Sequence, residues 1–299
     1  MTAPRARARL AARLLLCGVV IGGSSACSSS GAAPPVAPSP SPSAERYVAL
    51  GDSFTAGPLI PTTDLAGGCA RSDHNYPSLV ADQLDVASFT DVSCSGARTL
   101  DFTGSQRPFE GSRVPPQLRA VTPETTLVTL GIGGNDLRLF ATLVNTCTRL
   151  RATDPDGAPC ARALAANGPD VDAAVATISR RVVRVLRLIE AKAPRARVLL
   201  VGYLRLVPER GTCVGLPLAT GDYAEGRRIS EALDRALRRA ARSAEVTFVD
   251  MYAASRGHDI CSSQPWVNGS VTDRRKALSY HPFAAGMRAT AREVIAALG

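Results

Sequence analysis

The fold is decided by a short stretch near the start of the chain, which has the sequence YVALGDSFTAG at residues 47–57. Its first four residues are apolar, and the run ends at Gly51. A short and nearly continuous apolar run is typical of a strand in a parallel sheet that is covered on both faces. The stretch therefore predicts a buried first strand that turns at Gly51 into a polar segment.

The same pattern returns further along the chain. Apolar runs that end at Gly or Asp occupy residues 126–130, 197–201 and 246–249, and a further strand is predicted at 89–92. Helical patterns lie between and after these runs, at 171–189, 223–241 and 283–298, with apolar residues spaced by three and four. Alternating strands and helices predict one α/β domain at 45–299, a three-layer α/β/α sandwich around a mainly parallel sheet.

The first 26 residues resemble an export signal rather than part of a fold. Four arginines and no acidic residue precede a short apolar run at 14–21, and small residues follow. The run is shorter than the ~20 residues of a membrane-spanning helix, and the alternative is a buried N-terminal helix. Removing the four arginines lowers the net charge from +9 to +5. The remaining arginines are scattered, so we expect no nucleic-acid partner.

Cys27 follows this segment directly and resembles the lipidated cysteine of a bacterial lipoprotein signal. Ser24 stands where leucine is usual, so ordinary cleavage and free secretion remain the alternative. Residues 27–44 are rich in Ser, Gly, Ala and Pro and cannot bury a core, which predicts a spacer. We therefore expect an exported protein that is extracellular or attached through Cys27 to the outer face of the cell membrane.

Six further cysteines lie in the predicted domain, and an even number in an exported chain favours three disulfide bonds. Six cysteines allow 15 pairings. The simplest is sequential and joins Cys69 to Cys94, Cys147 to Cys160 and Cys213 to Cys261. The alternative is a zinc site, which the absence of closely spaced cysteine pairs and the small number of histidines disfavour. We expect no metal and no cofactor.

Residues suited to catalysis follow three of the predicted strands. Ser53 comes directly after the first strand, near a predicted helix N-terminus that favours negative charge. Gly96 and Asn135 follow two later strands, and the carboxyl ends of parallel strands meet at one edge of a sheet. A serine nucleophile needs a base, and His281 lies in the loop before the last helix, at the same edge. For the other two histidines we predict only local hydrogen bonds in loops.

These motifs resemble the SGNH (GDSL-type) hydrolase family. Four blocks occur in the family's order, namely Gly51-Asp52-Ser53, Gly96, Gly133-Gly134-Asn135-Asp136 and His281-Pro282. The segments at 75–77 and 114–117 further resemble the actinobacterial secreted lipase/esterase branch, which also has three sequential disulfides. The resemblance extends from residue 47 to the end of the chain and implies a flavodoxin-like sheet.

The resemblance implies ester hydrolysis, with Ser53 as the nucleophile and His281 as its general base. It also implies an oxyanion hole formed by the main-chain N–H groups of Ser53 and Gly96 and by the side-chain amide of Asn135. Asp52 and Asp136 would hold loops by hydrogen bonds rather than take part in the chemistry.

The sequence departs from the family pattern at one position. Many members have an acid three residues before the histidine, where this chain has Leu278. We predict that a main-chain carbonyl, with that of Leu278 as the first choice, accepts from Nδ1–H of His281 instead, which gives a Ser–His dyad of the kind that some members of this branch have. The alternative is that the side chain of Asp273, further upstream, orients His281.

The substrate is less constrained by the sequence. Apolar side chains at 57–61, 102, 109 and 139–140 would line an acyl groove or form local core under long loops. We predict a monomeric esterase or lipase that acts on acyl lipids, with a carbohydrate O-deacetylase as the alternative. A tethered binding lipoprotein without catalysis is a further alternative. A nucleotide-binding oxidoreductase fits poorly, because Asp136 stands where its loop needs a third glycine.

Overall fold

The computed structural model describes residues 43–108 and 110–299. Its main sheet has five parallel strands, β1 (Ser43–Gly51), β4 (Val86–Asp91), β5 (Leu127–Gly131), β6 (Arg197–Val201) and β7 (Thr247–Val249). They lie in the order β4-β1-β5-β6-β7, which is the 2-1-3-4-5 order of flavodoxin-like sheets. The predicted α/β class and parallel sheet are therefore confirmed.

Helices cover both faces of this sheet. The long helices α6 (Val171–Lys192) and α7 (Asp222–Ala244) pack against each other on one face, and α2 (Tyr76–Leu84) and α9 (Ala284–Ala296) pack against each other on the other. The side chains of β1 alternate between the two cores. Val48 and Leu50 join the first core, whereas Tyr47 and Ala49 join the second, as the two-residue period of a strand requires.

Short elements connect these layers. They are α1 (Ser53–Ala56), α3 (Leu139–Ala141), α4 (Thr148–Leu150), α5 (Pro159–Asn167), α8 (Met251–Ala254), and the antiparallel pair β2 (Thr63–Asp64) and β3 (Arg71–Ser72). Tight 3₁₀ turns occupy Thr99–Phe102, Gln117–Ala120, Asp136–Arg138 and Arg151–Thr153, and a π turn occupies Thr142–Cys147. In the part of the chain that the structure describes, no helix is both long and apolar enough to cross a membrane.

Several boundaries differ by a few residues from the predicted ones; β4, for example, begins at Val86 rather than at residue 89. The strand β1 begins at Ser43, inside the spacer predicted at 27–44. The helix α9 begins at Ala284 rather than at 283, because Pro282 is still paired with Val267 in an isolated antiparallel bridge. The predicted export signal, Cys27 and nearly all of the spacer lie outside the described residues.

The structure pairs the six cysteines sequentially, as Cys69–Cys94, Cys147–Cys160 and Cys213–Cys261. The first of these bonds lies beside the carboxyl edge of the sheet, because the N–H of Cys94 donates to the carbonyl of Gly51 at the end of β1. It joins the segment after β4 to the loop before β3, and the N–H of Ser95 donates to the carbonyl of Cys69 at 3.0 Å.

The opposite edge of the sheet brings the two ends of the domain together. Arg197 is the first residue of β6, and its guanidinium donates to the Glu45 carboxylate at 3.0 Å and to the Leu298 carbonyl at 2.8 Å. Glu45 lies near the start of β1, and Leu298 lies just beyond the end of α9. Both ends therefore lie where the strands begin.

Candidate active site

A sharp turn at the end of β1 places Ser53 at the start of α1. Gly51 has φ of 151°, and a Cβ at this position would collide with the Thr55 hydroxyl and the Gly131 carbonyl, so only glycine fits. Asp52 caps α1 by accepting from the Phe54 N–H at 2.9 Å. Ser53 is 6% exposed, and its hydroxyl faces the carboxyl edge of the sheet.

His281 lies against Ser53, although 228 positions separate the two in the sequence. The imidazole Nε2 is 2.8 Å from the Ser53 Oγ, and Nδ1 is 2.7 Å from the carbonyl oxygen of Ser279. A carbonyl only accepts, so Nδ1 holds the proton and Nε2 is free to accept from the serine hydroxyl. Desolvation lowers the pKa of His281 from 6.5 to about 4, and the bond to Ser279 opposes this shift, so the imidazole is neutral at pH 7.

The prediction that the Leu278 carbonyl orients His281 is wrong. The Leu278 carbonyl accepts from the main-chain N–H of His281 at 3.2 Å, which closes a β-turn. Tyr280, the third residue of this turn, has φ of 63°, as in a type II turn. The turn occupies the Leu278 carbonyl and leaves that of Ser279 for the imidazole. The rival Asp273 is also excluded, because its carboxylate accepts from the N–H of the residue two positions later and pairs with a lysine.

Gly96 and Asn135 line the same pocket as Ser53 and His281. Gly96 has φ of 79°, a conformation that favours glycine. The Asn135 amide donates to the Ala97 carbonyl at 3.0 Å, which ties it to the Gly96 segment. An amide nitrogen has two hydrogens, so the second one remains for a group in the pocket.

Tyr203 is a site residue that sequence reasoning missed. Its hydroxyl donates to Asp52 at 2.5 Å and accepts from the Gly134 N–H at 2.8 Å. Burial raises the pKa of Asp52 from 3.8 to about 7, and the bonds from Tyr203 and the Phe54 N–H oppose this shift. Burial and the nearby Asp52 charge raise the pKa of Tyr203 well above its usual value. The sequence did contain a signal for Tyr203. It follows β6 and Gly202, just as the other site residues follow strands that end at glycine-containing segments.

Two further buried side chains hold the loops of the site. Gln117 clamps Gly51 from both sides, since its amide donates to the Gly51 carbonyl at 2.9 Å and accepts from the Gly51 N–H at 2.8 Å. Asp136 accepts from the N–H and hydroxyl of Thr99 and from Arg181 at 3.1 Å. The hydrogen bonds of Asp52 and Asp136 are therefore those of loop-holding residues.

The other histidines lie outside the pocket. His74 is 2.5 Å from the carboxylate of its neighbour Asp73, and His258 bonds to a main-chain carbonyl and stacks on Trp266 at 4.0 Å. The described residues contain no cluster of three or more His, Cys, Asp or Glu side chains that would hold a metal ion.

The cavity over Ser53 and His281 has a volume of about 430 Å³ and a largely apolar wall. The wall is formed by Phe54, Phe140, Ala141, Val144, Leu206, Leu278 and Tyr280. Of the side chains considered for an acyl groove, Phe140 lies here, whereas Ile60, Phe102 and Leu139 are buried in the cores. Residue 109 lies outside the described residues. Local core therefore accounts for Ile60, Phe102 and Leu139.

Residues 49–289, which contain all of these motifs, match the GDSL-like Lipase/Acylhydrolase family. The chain belongs to this family. As a GDSL-like hydrolase it is a carboxylic ester hydrolase of the lipase/esterase kind, as predicted, which excludes the oxidoreductase and the binding lipoprotein without catalysis.

Three relatives of this GDSL-like hydrolase cover most of its length. It is 37% identical to lipase 2 of Streptomyces coelicolor over 261 residues, which cover 85% of each chain. The crystal structure of phospholipase A1 from Streptomyces albidoflavus is 31% identical, with a TM-score of 0.67, and the match covers 85% of this chain and 99% of that one. The extracellular lipase of Streptomyces rimosus is 29% identical, with a TM-score of 0.70 and coverage of 85% and 100%.

Proposed function

We propose that this GDSL-like hydrolase cleaves acyl esters of lipids, with Ser53 as the nucleophile and His281 as the general base. The supporting observation is the 2.8 Å approach of the Ser53 Oγ to Nε2 of an imidazole whose Nδ1 is held by the Ser279 carbonyl. A serine hydroxyl bonded to an oriented, neutral imidazole is the arrangement that activates this nucleophile.

The geometry supports a two-step reaction. Nε2 of His281 takes the hydroxyl proton as the Ser53 Oγ attacks the ester carbonyl carbon, and the carbonyl electron pair moves onto oxygen. When the tetrahedral intermediate collapses, the bond to the alcohol breaks, and His281 returns the proton to the leaving oxygen. Water then repeats the sequence on the acyl-enzyme and releases the carboxylic acid and free Ser53.

The charge on the tetrahedral oxygen would be stabilised by the N–H groups of Ser53 and Gly96 and the amide of Asn135. Loss of one such donor costs ~2.7–4 kcal/mol of transition-state stabilisation. We therefore expect Asn135→Ala to lower kcat about 10²–10³-fold. Asn145→Ala is the matched control and should leave kcat unchanged. Asn145 also lines the cavity, but it lies next to Val144 in the π turn.

The proposed centre is a dyad, since the group behind His281 is the Ser279 carbonyl. A carbonyl dipole fixes the ring orientation and the tautomer, as a carboxylate does in a triad, but supplies no full negative charge to the imidazolium that forms. We infer that the oxyanion donors account for a larger share of the transition-state stabilisation than they would in a triad with a carboxylate.

The apolar wall of the cavity and the lipases among the relatives support a lipid substrate. A chain-length series of p-nitrophenyl esters tests this part of the proposal, and we expect kcat/KM to rise from acetyl to octanoyl. A preference for acetyl esters would contradict it and favour a carbohydrate O-deacetylase.

The serine mechanism is tested by labelling with a fluorophosphonate. The folded protein should form one adduct at Ser53, and Ser53→Ala should abolish both the adduct and ester hydrolysis. His281→Ala should also abolish most activity while leaving the fold intact. A labelled but inactive protein, or an active Ser53→Ala variant, would overturn the assignment.

We further propose that the protein is exported and that it is a monomer. The three disulfide bonds support export, because such bonds persist in oxidising compartments. The proposed domain runs from 45 to 299, preceded by a signal at 1–26 and a spacer at 27–44. Mass spectrometry of the native protein tests whether Cys27 is the mature N-terminus with a diacylglyceryl group. A mature N-terminus at another residue would favour free secretion.

A further inference from the structure

A second cavity opens beside Gly96 and Asn135 and is lined by three arginines. Its volume is about 380 Å³. It shares five lining residues with the cavity over Ser53, namely Ser95, Gly96, Asn135, Arg138 and Ala141. The two cavities therefore form one groove, with the proposed oxyanion donors at the junction, an apolar part on one side and a cationic part on the other.

The charges of the second cavity are unbalanced. Arg98, Arg107 and Arg138 line it and are exposed, whereas Asp101 is the single carboxylate among its described lining residues. Asp101 is 5% exposed and is already bonded to the main-chain N–H of Arg98 at 2.8 Å and, at 3.5 Å, to its guanidinium. Within the described residues, the guanidinium groups of Arg107 and Arg138 have neither a hydrogen bond nor an ion pair. Two unpaired positive charges thus face the groove.

The backbone holds one of these arginines at the junction. Leu137 and Arg138 both have left-handed backbone conformations, with φ of 51° and 59°. This region is uncommon for residues other than glycine, and two in succession imply a conformation imposed by the surrounding fold. Arg138 consequently lines both cavities.

Two exposed apolar side chains lie close to these arginines in the sequence. Leu137, next to Arg138, is 42% exposed, and Leu100, two residues after Arg98, is 57% exposed. The arginines of the second cavity and the apolar wall of the first together suit a ligand that is both anionic and apolar.

We propose that the arginine-lined cavity binds the phosphate of a glycerophospholipid whose ester carbonyl lies over Ser53, an inference that rests on the proposed function. Guanidinium groups pair with phosphate oxygens through two parallel hydrogen bonds, whereas a neutral glyceride offers them no anion. In a glycerophospholipid, a few atoms of glycerol separate the phosphate from the ester, which matches adjoining cavities that share Gly96 and Asn135. The acyl chain would occupy the apolar part of the groove.

The test compares two monomeric substrates with the same acyl chains, dihexanoylphosphatidylglycerol and dihexanoylglycerol. The readout is the ratio of kcat/KM for the phospholipid to kcat/KM for the glyceride. We expect a ratio well above one for the native protein and a fall of about tenfold in Arg107→Ala and in Arg138→Ala. Arg107→Lys should retain part of the preference, and 0.5 M NaCl should lower the native ratio by screening.

Arg239→Ala is the matched control, because Arg239 is an exposed arginine on α7 and does not line the groove. Its ratio should equal that of the native protein. A ratio that stays unchanged in both groove variants, or falls equally in Arg239→Ala, would overturn the phosphate site while leaving the ester hydrolase intact. Failure of the proposed function itself would appear separately, as no hydrolysis of either substrate and no fluorophosphonate adduct.

Discussion

The hydroxyl of Tyr203 donates to the carboxylate of Asp52 at 2.5 Å, although 151 positions separate the two residues. Asp52 immediately precedes Ser53, and the same hydroxyl accepts from the N–H of Gly134, which immediately precedes Asn135. One buried group thus fixes the turn that holds the proposed nucleophile relative to the loop that holds a proposed oxyanion donor. Displacements of about 1 Å in such constellations are enough to slow catalysis.

We expect Tyr203→Phe to lower kcat about tenfold with little change in KM, because the buried Gly134 N–H loses its acceptor and Asp52 loses a donor. Steady-state kinetics on a p-nitrophenyl ester and a thermal melt measure both effects. Tyr252→Phe is the control, since the Tyr252 hydroxyl is buried without a hydrogen-bond partner in the described structure. Equal losses of kcat in both variants would contradict a specific role for Tyr203.

The pH dependence of hydrolysis should reflect the lowered pKa of His281. Only the neutral imidazole accepts the Ser53 proton, so kcat/KM rises with pH through the pKa of the free enzyme. With a pKa of about 4, the acidic limb should be centred well below 6.5. A limb centred at 6.5 would count against this account. A second inflection near pH 7 that disappears in Asp52→Asn would belong to the Asp52 carboxyl, whose pKa is about 7.

The buried carboxyl of Asp52 should also make stability depend on pH. Because its pKa is raised from 3.8 to about 7, the folded protein retains a proton between these values that the unfolded chain releases. The contribution of Asp52 to the free energy of unfolding therefore falls as pH rises from about 4 to 7. Asp52→Asn has no such proton and should gain stability relative to the native protein across this window. Urea unfolding at pH 4, 6 and 8 measures the difference, and a constant difference would refute the prediction.

Asp273→Asn should leave kcat within twofold of the native value, because the Asp273 carboxylate bonds to its own loop rather than to His281. Ser279→Ala should do the same, since the group that His281 uses there is the main-chain carbonyl. Kinetics at pH 7 are sufficient for this comparison. A hundredfold loss in Asp273→Asn would restore a side-chain acid as the orienting group.

Removal of the Cys69–Cys94 bond should affect catalysis as well as stability. By loop closure, this bond and Cys213–Cys261, with sequence separations of 25 and 48 residues, should each contribute ~3–4 kcal/mol. Only the first adjoins Gly96, since the Ser95 N–H donates to Cys69. We expect a fall in kcat of about tenfold in Cys69→Ala/Cys94→Ala and less than twofold in Cys213→Ala/Cys261→Ala, measured below both melting temperatures. Similar kcat values would show that the first bond is purely structural.

Sequence patterns were sufficient for the sheet and the long helices. The apolar runs at 126–130 and 197–201 lie within one residue of β5 and β6, because buried strands and amphipathic helices leave local periodicities. Ser53, Gly96, Asn135 and His281, selected from the convergence of the strand ends and from the family resemblance, line one pocket, and their catalytic roles stay a prediction.

The partners of these residues could not be predicted in the same way. Tyr203 and Gln117 act through single hydrogen bonds to main-chain or carboxyl groups across the sheet edge, and no periodicity marks such bonds. The choice between the carbonyls of Leu278 and Ser279 depends on the φ of Tyr280 in one turn. A sequence pattern does not determine a single backbone angle of this kind.

Both ends of the domain contact Arg197, and this arrangement determines how the enzyme is oriented when it is attached to a surface or to another protein. Glu45 and Leu298 lie at the edge where the strands begin, and the groove opens at the edge where they end. A bead, a fusion partner or a cell surface joined through either end would therefore hold the domain with its groove directed outward. Attachment at either of these two domain ends should leave the same face open to substrate.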